Sequence, residues 1–185
     1  MVRNSMKYSW VTALVILISL GAAAAEVYVT SPSTGRILVL DSSGALVRTI
    51  GWAGGLQEPY AITLDSQRSL LVTDYAAGRI LKFAEDGSNA TIVAANIPKP
   101  DGLSIGANGD LFLVSRENST GRTLLRSGDD HTPSNLRQVW MVPAGSNFPV
   151  KIGSVGESSR LAQTVVVPSG RYKGELFVLS TRPGL

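Results

Sequence analysis

Val29-Thr30-Ser31-Pro32-Ser33-Thr34-Gly35-Arg36-Ile37-Leu38 stands 43 residues before Val72-Thr73-Asp74-Tyr75-Ala76-Ala77-Gly78-Arg79-Ile80-Leu81. The shared frame is V-T-x-x-x-x-G-R-I-L. It returns in looser form as Leu113-Val114-Ser115, with Gly121-Arg122 after a two-residue insertion. The segments between these frames repeat as well. Pro59-Tyr60-Ala61-Ile62-Thr63-Leu64-Asp65 matches Pro100-Asp101-Gly102-Leu103-Ser104-Ile105 at an offset of 41. Gly87-Ser88-Asn89 before Thr91-Ile92-Val93 recurs as Gly145-Ser146-Asn147 before Val150-Lys151-Ile152.

Each unit is a set of short β-branched runs separated by Gly, Asp, Asn and Ser turns, with no useful helix-period stretch. A period of 41 to 43 residues with four short strands per unit is the requirement of a β-propeller blade. The expected class is therefore all-β, a propeller of four-stranded antiparallel blades. Lettering strands A to D from the centre outward, the second unit places A over Tyr60–Leu64, B over Ser69–Thr73, C over Arg79–Ala84 and D over Ala90–Ala94. Gly35, Gly78 and Gly121 fall where a strand reverses and positive φ is cheap only for glycine. Asp65 and Asp74 are suited to accept from free turn N–H groups. In strand A, Ile62 and Leu64, or Leu103 and Ile105, should face the core.

The first 25 residues read differently. Arg3 and Lys7 precede the uncharged eleven-residue run Trp10–Leu20, and Ala23-Ala24-Ala25 offers a cleavage site. That is the pattern of a secretory signal, and the run is short of the roughly 20 residues that span a bilayer. The expected mature chain is Glu26–Leu185, 160 residues, secreted or periplasmic, with units over about 26–58, 59–99, 100–160 and 161–185. The whole sequence has 17 Lys+Arg against 14 Asp+Glu. Losing Arg3 and Lys7 leaves a net charge of +1, which removes the nucleic-acid reading suggested by the basic balance. No Cys and one His exclude a disulfide scaffold, a thiol nucleophile and a multi-His metal site.

The frame P-x-G-L-x-I-x-x-x-G-x-L-[FY]-[LV] at Pro100–Leu113, with D-x-x-x-G-R-I at Asp74–Ile80, resembles the NHL-repeat propellers and the gluconolactonase/regucalcin-like family. The resemblance implies a six-bladed ring, of which three to four blades are present. Six blades at about 42 residues would need roughly 250 residues, so the sequence is expected to be the front portion of such a ring. It further implies one divalent metal, calcium or zinc, held by a Glu, an Asn and an Asp at the starts of inner strands. Asp101, in Pro100-Asp101-Gly102, matches that Asp and would serve as metal ligand or catalytic base. The position one blade earlier is Tyr60, and Glu26 and Glu58 are the candidates for the Glu. Asp101 is equally suited to cap the turn entering strand A.

D-to-A and B-to-C loops open on one face, at the channel mouth. Asp101 and Tyr60 belong there, as does the longest insertion, Arg116–Arg137. Long polar insertions often carry function, so Arg116, Glu117, Arg122, Asp129 and Asp130 are candidate ligand-binding residues. His131 beside Asp129-Asp130 is a candidate general base, because a carboxylate fixes an imidazole tautomer; a solvated loop His is the competing reading. Arg36, Arg79 and Arg122 either form a ring that binds an acidic sugar or phosphate, or pair with neighbouring carboxylates and carbonyls. Asn89-Ala90-Thr91 and Asn118-Ser119-Thr120 fit the glycosylation sequon. The functional expectation is a small polar or glycan ligand bound in the channel, or hydrolysed there in a lactonase-like reaction. The alternative is a non-catalytic module for protein or glycan recognition. Neither nucleic acid nor a membrane span after cleavage is expected.

Overall fold

The computed structural model describes residues 15–18, 25–51, 55–116, 137–155, 162–166 and 175–180. Fourteen short strands and one 3-10 turn account for the described secondary structure. The strands form three four-stranded antiparallel sheets and one two-stranded sheet, each in simple chain order. This is the blade pattern of a β-propeller.

The first sheet contains β1 (Val15–Ile18), β2 (Glu26–Ser31), β3 (Arg36–Leu40) and β4 (Leu46–Ile50). The second contains β5 (Pro59–Leu64), β6 (Leu70–Asp74), β7 (Arg79–Phe83) and β8 (Thr91–Ala95). Their bounds agree with the sequence reading to within one residue. The third contains β9 (Pro100–Ile105), β10 (Leu111–Arg116), β11 (Arg137–Val142) and β12 (Val150–Val155). A final antiparallel pair joins β13 (Ala162–Val166) to β14 (Leu176–Ser180).

One placement differs from expectation. The expected first unit begins at Glu26, whereas β1, ahead of it, pairs with β2 in the strand A position, Val15 opposite Val29 and Ile18 opposite Glu26. Val-Ile-Leu-Ile is apolar and largely β-branched, so the same four residues suit the core of a leader and a half-buried strand.

Packing follows from the two-residue period of a strand. In the middle blade, Leu70, Val72, Leu81 and Phe83 pack with Tyr28, Ile37 and Val39 of the first blade. Leu71 and Ile80, on the opposite face, pack with Leu103, Leu111 and Leu113 of the third. Both faces of β6 are covered, which is why Leu70-Leu71-Val72-Thr73-Asp74 is buried at every position. A sheet flanked on both sides reads as a continuous apolar run rather than an alternation. In β5, a register shift between Pro59 and Ile62 buries Ala61 and Ile62 side by side. The expected strand A residues Ile62 and Leu103 are in the core, and Leu64 and Ile105 are half-buried against it.

The Val-Thr of the repeat has a specific task. Thr30 Oγ1 donates to the Tyr60 carbonyl at 2.8 Å, and Thr73 Oγ1 donates to the Asp101 carbonyl at 3.1 Å. Each strand B hydroxyl thus holds the start of the next blade's strand A. Thr73 Oγ1 also accepts from the Ala61 amide at 2.8 Å. In the third blade Val114 stands at the Thr73 position without a hydroxyl, and Ser115, at the Asp74 position, is buried and accepts from Trp140 Nε1 at 2.8 Å.

Turn chemistry is largely as expected. Gly35 and Gly78 have φ of 63° and 66°. A Cβ at Gly35 would sit 2.8 Å from the Leu56 carbonyl oxygen, so both conformation and space require glycine there. Asp65 accepts from the Gln67 and Ser69 amides of its own turn. Asp74 does not serve its own turn: it accepts from the Glu58 amide at 3.0 Å, and Gln57 N–H also points at it. Its carboxylate also receives Arg79 Nε and Nη2, both at 3.1 Å. Arg79 Nη2 reaches on to the Gly55 carbonyl at 2.7 Å. The D-x-x-x-G-R frame therefore ties the B-to-C turn to the segment entering the same blade, and Arg79 is structural.

Candidate functional site at the channel mouth

The antiparallel pairing of Pro59 with Asp74 brings the start of β5 and the end of β6 to one face. The pairing of Pro100 with Ser115 does the same for β9 and β10. Tyr60 and Asp101 are both the second residue of a strand A, and β5 and β9 share one burial pattern along their length. The expected equivalence of the two positions is therefore met.

Tyr75, the first residue after β6, stacks on Tyr60 with ring centroids 4.5 Å apart and planes inclined by 24°. Tyr75 N–H donates to the Glu58 carbonyl at 2.8 Å, which fixes the turn carrying the ring. Lys99, immediately before β9, places Nζ 5.6 Å from the Tyr75 ring centroid, a cation–π distance. Both rings and the lysine are half-buried. The cluster thus joins an aromatic pair, an ammonium group and the Asp101 position at one mouth.

Tyr60 and Asp101 were legible from the repeat; Tyr75 and Lys99 were not. Tyr75 is a near-diagonal neighbour of Tyr60 across the hairpin, within aromatic reach. The strand register was the signal that leads to it. Nothing in the sequence pattern picks out Lys99.

Arg116 ends β10 opposite Arg137, which begins β11, so the long insertion departs from this same face. Glu117, Arg122, Asp129, Asp130 and His131 lie outside the described residues, as do Gly121 and the second sequon.

Among the described residues no three His, Cys, Asp or Glu side chains converge. Glu26 begins β2, at the end of its strand away from the mouth. It is bound there by Arg48, whose Nη2 lies 2.9 Å from Glu26 Oε2. The Arg48 hydrogen bond holds the Glu26 carboxyl below the usual carboxylate range. Tyr28 donates its hydroxyl to the same carboxylate at 2.8 Å. Burial, reinforced by that bond, pushes the Tyr28 hydroxyl from 10.0 up to about 12. Arg48 Nη2 also donates to the Glu85 carbonyl, and Arg68 pairs with the Glu85 side chain and lowers its pKa. This network fastens the first blade to the second on the far face.

It also predicts two pH limbs. Glu26 and Glu85 have depressed folded-state pKa values, so their stabilisation is complete above the ordinary value of 4.5 and is lost as pH falls below it. Tyr28 has a raised value, so its contribution is complete below pH 10.0 and is lost as pH rises towards about 12. Within that alkaline interval each pH unit removes up to ~1.4 kcal/mol. Thermal melts across pH should show both limbs, and Tyr28→Phe should remove the alkaline one and reduce the Glu26 part of the acid one, because the Tyr28 hydroxyl helps lower Glu26. An alkaline limb unchanged in that variant would remove Tyr28 as its source.

No family model matches the chain, and no curated protein matches it. Solved structures do. A streptogramin B lyase superimposes with a TM-score of 0.53 at 16% identity, over 82% of this chain and 48% of that one. Virginiamycin B lyase from Staphylococcus aureus, as a catalytically inactive variant with quinupristin, gives 0.55 at 12% identity over 91% and 60%. The nidogen/laminin complex gives 0.58 at 17% identity over 77% and 48%. The chain thus spans about half the length of the first two lyase chains it matches, 48% and 40%. At these identities the likeness concerns the fold: the chain is a β-propeller protein. The narrower NHL or gluconolactonase assignment is not what these structures support.

Proposed function

We propose that this chain is an exported propeller module that binds a small polar ligand at its channel mouth, on the Tyr60–Tyr75 platform. The stacked pair with Lys99 beside it is the observation that carries this reading. Flat aromatic faces bury the apolar face of a ring, while neighbouring charged groups fix its orientation. A sugar ring has that two-sided character, so a glycan is the ligand class supported best. The binding reading is favoured over lactone hydrolysis because it rests on the stacked rings and the lysine beside them.

Titration of the full chain with a panel of neutral and acidic oligosaccharides tests the proposal. Tyr75→Ala should weaken the best ligand by about tenfold, corresponding to ~1.4 kcal/mol. Tyr75→Phe should bind nearly as well, because it keeps the ring. Equal affinity in Tyr75→Ala and the wild type, with unchanged melting, would place the site elsewhere.

A further inference from the structure

Lys99 has φ of 46°, in the left-handed region that non-glycine residues avoid. Its position makes this more costly. It lies in Ile97-Pro98-Lys99-Pro100, and a residue before proline is pushed away from helical conformations towards extended ones. Glycine would relieve the strain at no steric cost of its own. The local sequence therefore holds a lysine in a backbone conformation that lysine itself disfavours. Strain of this kind persists where the surroundings over-determine it, and it concentrates at binding sites.

The surroundings are visible. Ile97 N–H donates to the Gly78 carbonyl at 3.0 Å, fastening the D-to-A linker to the B-to-C turn that carries Tyr75. At the other end Pro100 is buried and begins β9, whose second carbonyl receives Thr73 Oγ1. Held at both ends, the linker delivers the Lys99 ammonium beside the Tyr75 ring. The ion pairs found among the described residues do not include Lys99.

We infer that Lys99 selects a glycan bearing a carboxylate, such as a uronic acid. This inference rests on the Tyr60–Tyr75 platform being the ligand site. The aromatic pair takes the ring face and the ammonium meets the sugar carboxylate in a charge-assisted hydrogen bond. A single ammonium beside an aromatic pair suits a hydroxyl-rich ring with one negative charge.

The test compares an oligogalacturonate with a neutral galacto-oligosaccharide of equal length, titrated into the wild-type full chain, Lys99→Gly and Lys99→Arg. The wild type should prefer the acidic oligomer. Lys99→Gly should lose about tenfold in affinity for it, the fold-change that one charge-assisted bond supplies, and little for the neutral one. Because glycine relieves the positive φ, the same variant should melt no lower than the wild type, and up to a few degrees higher. A merely structural lysine gives the opposite pattern: lower melting and unchanged preference. Lys99→Arg should retain the preference. Equal binding of both oligomers by the wild type overturns the acidic-sugar inference and leaves the platform standing. Binding of neither overturns both.

Discussion

Asp74→Ala should cost this protein about 3 to 5 kcal/mol of stability, enough to unfold a marginal domain. The carboxylate is fully buried, 0% exposed, and is in contact with four donors. Removing it leaves the Arg79 guanidinium beside a cavity with its Gly55 contact as the remaining polar anchor. It also strips the acceptor from two backbone amides in the segment entering β5. Breaking one partner of a buried pair is far more damaging than replacing both by apolar groups. Asp74→Asn should be milder than alanine, since its amide oxygen still accepts from Glu58 N–H. The double variant Asp74→Leu/Arg79→Met should recover part of the loss, because no buried charge then remains unpaired. Chemical denaturation of the four proteins checks the order. An alanine variant within about 1 kcal/mol of the wild type would mean that water replaces the carboxylate.

The frame that reveals the fold and the residues that make the site have different physical origins. Gly35, Gly78, Thr30, Thr73 and Arg79 belong to a frame shared by the first two blades, which use the same reversal and the same hold on the next blade. Repetition made them legible, and the strand bounds followed. The hydrogen-bond assignments were less accessible: Asp74 serves the preceding segment rather than its own turn because the chain enters each blade beside that turn. Tyr75 and Lys99 occupy repeat positions where the other blades carry different residues, so they leave no periodic trace. Their proximity depends on a hairpin register and on a linker held in a disfavoured conformation. Asp101 was singled out through a family motif rather than through packing or register. The apolar run Val15–Ile18 shows a further limit, since strand and leader draw on the same residue types.

Thr73→Val should be the second most damaging of the substitutions considered, and it bears directly on the site. The two side chains are nearly isosteric, so packing in the fully buried position is kept while the hydroxyl is lost. The Ala61 amide and the Asp101 carbonyl each lose a partner held at 2.8 and 3.1 Å. The buried Ala61 amide costs about 1 to 3 kcal/mol when it loses its acceptor, and the part-buried Asp101 carbonyl adds less, giving roughly 2 to 4 kcal/mol together. The loss should also reach the ligand. Thr73 Oγ1 fixes the Asp101 carbonyl in β9, one residue beyond Pro100 and two beyond Lys99, while its acceptor role fixes Ala61 beside Tyr60. Releasing both loosens the two arms of the platform together. Thr73→Ser keeps the hydroxyl and should retain most of the binding, with a modest stability loss for the missing methyl. Denaturation and oligosaccharide titration of the valine and serine variants give two independent readouts. If valine lowers stability but leaves affinity untouched, the blade-to-blade bond supports the fold without positioning the site. If both fall together and serine restores both, the Val-Thr of the first two units, present there for architectural reasons, is also what aligns Tyr60 with Lys99.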